Sequence, residues 1–109
     1  MDKQEELNNK LLEFAGIPKD LAYFLKPKFP RSFDDCVTWL IPLLRPICEW
    51  ELSPCKEGYL FSLFTAFNPD KPVIDIKRRG ETLPVVVAEV IGELIDVLKD
   101  FEEVKKNER

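Results

Sequence analysis

A chain of 109 residues with 45% apolar and 33% charged side chains has room for one folded domain around one core, not two. Its eight Phe, two Trp and two Tyr exclude a disordered chain, because that much aromatic surface has to be buried. A net charge of −4 and a pI near 4.9 argue against a nucleic-acid binder, which needs a basic face for the phosphate backbone.

Leu7, Leu11, Phe14 and Ala15 share one face of a short amphipathic helix over residues 5–15, with Glu5 and Glu6 near its positive end. Gly16 is a natural left-handed stop, and Pro18 follows two residues later. Pro18, Pro27 and Pro30 make residues 17–31 a loop, pinned by Leu21, Phe24, Leu25 and Phe29. Ser32 is placed to cap a second helix whose first turn holds Asp34 and Asp35. Phe33, Cys36, Val37, Leu40, Ile41 and Leu44 continue it at helical spacing. Pro42 is expected to end or kink it near Trp39 to Leu40, because proline cannot donate to the carbonyl four residues back.

From Ile47 the period becomes two, with Cys48, Trp50 and Leu52 facing one way and Glu49 and Glu51 the other. Residues 53–58 read as a hairpin loop. The next strand, residues 59–67, is apolar on both faces, as a strand covered from both sides is. After a proline-rich turn, residues 73–77 alternate with Ile74 and Ile76 inward. Arg78, Arg79, Gly80 and Glu81 lead to the longest helix, capped by Thr82 and carrying Pro84 in its first turn. Leu83, Val87, Val90, Leu94, Val97, Phe101 and Val104 form its apolar stripe, and residues 102–109 read as a charged tail. The fold class is α+β in the order α-α-β-β-β-α, a three-stranded antiparallel meander in one domain over residues 1–109. A middle strand apolar on both faces calls for helices above and below it, an α-β-α sandwich.

Three stretches carry a family resemblance. They are Leu7-Asn8-Asn9-Lys10-Leu11 with Phe14-Ala15-Gly16, residues 29–44 with Phe29, Phe33, Asp34, Cys36, Trp39, Leu40 and Pro42, and Glu81-Thr82-Leu83-Pro84. Together they resemble the small phage and prophage proteins grouped as the phage ABA sandwich domain. The resemblance implies an α+β sandwich of viral or prophage origin, and it carries over no activity and no catalytic residue.

The chemistry on offer is narrow. With no histidine, Ser-His-Asp and Cys-His catalysis and imidazole metal sites are absent. Cys36, Cys48 and Cys55 are odd in number and lack CxxC spacing, which points to structural thiols in a reduced, cytoplasmic chain, without a disulfide framework or a zinc site. No apolar run approaches the ~18 residues a bilayer needs, and the polar start of the chain is unlike a signal peptide. Glu49, Glu51 and Asp75 are a carboxylate set that reads first as the charged face of edge strands, the lesser alternative being a hard-cation or acid/base pair at Glu49 and Glu51 in a carboxylate-dependent enzyme. Arg78, Arg79, Gly80 and Thr82 form the best small-anion site, two guanidinium groups ahead of a helix N-terminus. Val97, Phe101 and Val104 overhang a short sheet and read as a homodimer contact. The expectation is a non-catalytic phage or prophage accessory protein that binds a host protein in the host cytoplasm, in an anti-defence or takeover role. The alternative is a sequestering protein for a nucleotide-like anion. No cofactor, metal, nucleic acid or membrane enters either reading.

Overall fold

The computed structural model describes residues 3–18, 20, 29–65 and 73–107. The first helix, α1 (Lys3–Phe14), ends where the sequence places its stop. Gly16 adopts φ +71, and the Ile17 N–H reaches back to the Leu12 carbonyl at 3.2 Å, the closing bond of a left-handed helix end. Of the four residues expected to pin the following loop, Phe29 is fully buried. Leu21, Phe24 and Leu25 lie outside the described residues.

The second helical segment, α2, covers residues 33–44 in three parts: Phe33–Asp35, a π turn Cys36–Leu40 and Ile41–Leu44. The Ser32 hydroxyl accepts the Asp35 N–H at 3.3 Å, the expected cap. Pro42 does not end the helix. The Ile41 N–H bonds the Cys36 carbonyl, five residues back. The wider turn keeps the Pro42 ring clear of the carbonyls it would otherwise strike.

The three strands are β1 (Glu49–Cys55), β2 (Gly58–Phe64) and β3 (Asp75–Gly80). They form an antiparallel sheet in the order β1-β2-β3, so the fold is α+β with helices before and after the sheet. Several strand ends shift from the sequence reading, and two of the shifts have a clear cause. The strand runs through Pro54 to a two-residue turn at Lys56 and Glu57, because the proline lies on an edge strand where a missing donor costs no sheet bond. The third strand runs on through Arg78 and Arg79 to Gly80, since pairing with Phe61, Leu60 and Tyr59 holds those residues extended. Ile74 and Ile76 are both buried, as alternation requires.

The last helix, α3 (Leu83–Asn107), takes in most of the expected charged tail. The Val86 N–H bonds the Thr82 carbonyl at 3.1 Å, which opens the helix where the cap was expected. Among the described helices, α3 lies on the sheet against β2 and β3, while α1 and α2 pack mainly against α3. The second helical layer therefore stacks on α3. Val86, Val87, Ala88, Val90, Ile91, Leu94 and Ile95 are all buried, an apolar sector wide enough to serve two neighbours. At Gly92 an added Cβ would sit 2.7 Å from the Leu7 side chain, so glycine there lets α1 come close.

Candidate functional site

Register assigns every sheet residue to one of two faces. Trp50, Leu63 and Ile76 form one cross-strand row and Leu52, Phe61 and Arg78 the next. These rows face α3, since Phe61, Leu63 and Ile76 are buried and Arg78 bonds helix carboxylates. The far face carries Glu49, Phe64 and Asp75 in one row, then Glu51, Ser62 and Lys77, then Ser53, Leu60 and Arg79. Glu49, Glu51, Asp75, Lys77 and Arg79 are all exposed, and so is Phe64, at 38%. This far face is a charged surface with an aromatic ring at one end.

Arg78 and Arg79 are neighbours in sequence, but a period of two sends them to opposite faces. They do not converge. Arg78 forms an ion pair with Glu93, and its Nη1 lies 3.6 Å from Glu89 Oε2. The Glu93 hydrogen bond and charge raise its pKa above the ordinary arginine value. Arg79 lines a shallow depression of about 370 Å³ with Gly80, Glu57 and Glu81, where two carboxylates offset its charge. With Arg78 neutralised and Arg79 flanked by acid, the turn ahead of Thr82 carries no excess positive charge. Inorganic phosphate, sulfate and nucleotides at millimolar concentration are therefore expected to leave the melting temperature unchanged. A ligand-dependent rise that Arg79→Ala abolishes would reverse this.

The carboxylates Glu49 and Glu51 sit side by side on β1, and Asp75 lies across the sheet, separated from Glu49 by Phe64. Among the described residues no group of three or more Cys, Asp or Glu is arranged to hold a metal ion. The thiols are structural in character. Cys36 is fully buried, and its Sγ donates to the Phe29 carbonyl at 3.3 Å. Burial, and then the charge of Asp35, push its pKa up to about 12, while burial also raises that of Cys48. Cys55 is partly exposed.

Two consequences follow for these thiols. A thiol reagent at pH 8 is expected to label Cys55 in the native protein and to reach Cys36 and Cys48 only on unfolding. Because folding raises the Cys36 pKa from 9.0 to about 12, the native state keeps a proton that the unfolded chain releases. Stability from this source is complete below pH 9 and falls as pH rises from there towards 12. Urea melts at pH 8 and pH 10.5 should show the drop, and Cys36→Ala should make it shallower.

Val97 and Phe101 are half-buried near the end of α3, and Val104 is 55% exposed. Sequence reasoning missed a cleft of about 270 Å³ between α1 and α3, lined by Phe14, Ile95 and Leu98 together with Lys10, Lys99 and Glu102. It also missed the exposure of Phe64 and of Trp50, whose ring stands 6.0 Å from that of Phe61. Strand pairing was the signal for Phe64, since it places that residue in one row with Glu49 and Asp75. No described helix is long and apolar enough to cross a membrane. Comparison with family models, with curated proteins and with solved structures yields no match for this chain.

Proposed function

We propose that the chain is a non-catalytic accessory protein that acts by binding another protein. The observation that carries this reading is the sheet surface away from the core. There the middle strand exposes Phe64 between Glu49 and Asp75, and on the opposite face the edge strand leaves Trp50 43% exposed. Half-exposed aromatic rings set among charges are the composition of protein-binding surfaces. The likeness of residues 7–16, 29–44 and 81–84 to the phage ABA sandwich family supports a phage or prophage origin. On that reading the partner is a host protein, met in the host cytoplasm, and the role is anti-defence or takeover. The test is capture from host lysate on the immobilised protein, run beside Phe64→Asp and Trp50→Ala. A specific partner retained by the wild type and lost by at least one variant supports the reading; no such partner counts against it.

The same proposal includes a homodimer through the distal end of α3. Its 25 residues extend about 37 Å at 1.5 Å each, whereas strands of six or seven residues span about 20 to 23 Å. The overhanging turns carry Val97, Phe101 and Val104, and Val104 is left largely in water. Light scattering after size exclusion is expected to give about twice the 12.7 kDa of one chain, with Phe101→Glu shifting the mass towards one chain. A single-chain mass at high micromolar concentration would rule the dimer out.

A further inference from the structure

We infer that the free edge of β1 takes up an extended peptide segment of alternating apolar and basic residues as a fourth strand. This rests on the protein-binding reading above and names its surface and the chemistry of its partner. Among the described residues β1 is an edge of the sheet, with β2 on one side only. Cys55 and Gly58 close the two-residue turn at Lys56 and Glu57, and in such a hairpin the closing residues exchange backbone bonds. Counting back by two, Ser53, Glu51 and Glu49 also bond β2, whereas Pro54, Leu52 and Trp50 turn their backbone groups outward. An independent bond agrees with this phase. The Thr65 N–H donates to the Ile74 carbonyl, which assigns the odd-numbered residues of β2 to β3 and the even-numbered ones to β1.

Pro54 therefore sits where an outward N–H would be, and it closes that end of the edge. Trp50 and Leu52 keep outward donors and acceptors, which a guest strand would pair. The side chains flanking this edge set the guest's composition. Glu49 and Glu51 are exposed on the far face, about 7 Å apart, and call for lysine or arginine at alternate guest positions. Trp50 and Leu52 flank the other face and call for apolar residues between them. The same glutamates disfavour a second copy, because a two-fold pairing of β1 with β1 sets like charges beside or diagonal to each other.

The probe is a synthetic peptide of eight residues alternating valine and lysine, titrated into the full chain. Amide shifts by NMR should concentrate on residues 49–53, with quenching or enhancement of Trp50 fluorescence. Methylating the amides of every valine, or of every lysine, separates backbone pairing from simple charge attraction. Strand addition requires one of these two peptides to lose at least tenfold in affinity while the other keeps it; equal affinities overturn the inference. Glu49→Lys with Glu51→Lys should weaken the lysine peptide at least tenfold and favour one alternating valine and glutamate; an unchanged preference overturns it. A mass that grows with protein concentration and is abolished by this double variant would assign the edge to another copy, and the peptide inference would fall. A lysate partner held equally by the wild type and the double variant would reject the β1 edge and leave the protein-binding reading standing.

Discussion

Gly58→Ala is expected to lower the unfolding free energy by about 3 to 5 kcal/mol, a large share of the ~5 to 15 kcal/mol that holds a domain folded. Two costs combine. Gly58 has φ +134, a backbone region that a residue with a side chain occupies only under strain of order 1 to 3 kcal/mol. An added Cβ would also meet the Gly80 carbonyl oxygen at 2.2 Å and the Glu81 Cα at 2.8 Å. Both obstacles are backbone, so no rotamer change relieves them, and overpacking of this kind adds roughly 1 to 3 kcal/mol. The contact joins the start of β2 to the end of β3, so the substitution forces these neighbouring strands apart where they pair. Gly16→Ala is the control, because Gly16 also has positive φ, at +71, but an added Cβ there meets nothing within 4 Å. It should cost only about 1 to 2 kcal/mol. Urea melts of the two variants measure the difference, and equal losses would mean that the Gly58 contact contributes nothing.

The fold was readable where one local force decided the outcome. Ser32 caps α2 because its hydroxyl meets the Asp35 N–H in the next turn. Ile74 and Ile76 are buried because a period of two leaves them one face. The errors arose where a local rule met a tertiary partner. Proline at 42 reads as an end or a kink and proline at 54 as part of a loop, yet a π turn just before the first carries the helix on, and an outward edge position keeps the second in the strand. The last helix read as one apolar stripe, yet Val86, Ala88, Ile91 and Ile95 beside it are also buried, and that width serves α1 and α2, a use that only the packing discloses. The candidate anion site shows the same limit at the level of chemistry. Adjacent arginines look like one basic cluster along the chain, but the strand divides them between faces, and α3 brings Glu89 and Glu93 to Arg78 from sequence positions more than ten residues away. What no local pattern contains is which partner residue arrives from elsewhere.

Phe29→Ala carries the second large effect, expected at about 3 to 5 kcal/mol from the buried ring alone. Phe29 is fully buried and ties three parts of the chain together. Its N–H donates to Asn8 Oδ1 on α1 at 2.8 Å, and its carbonyl accepts the Cys36 thiol of α2 at 3.3 Å. For a domain of this size each kcal/mol shifts Tm by roughly 4 to 8 °C, so a fall of more than 12 °C is expected. The readout that identifies the mechanism is chemical. Phe29 and Cys36 belong to one core, with the thiol on the Phe29 carbonyl, so water entering the space the ring leaves is expected to reduce the burial that is the main cause of the raised Cys36 pKa. The thiolate fraction at pH 9 should rise, and Cys36 should label in the native state, where the wild type labels only Cys55. Asn8→Ala is the comparison, since it leaves the ring in place and removes one acceptor, at a cost of about 1 to 3 kcal/mol. It should leave Cys36 protected. If Cys36 stays unreactive in Phe29→Ala, or reacts equally in Asn8→Ala, then the ring is not what excludes water from the thiol, and the packing of α1 against α3 takes over that role.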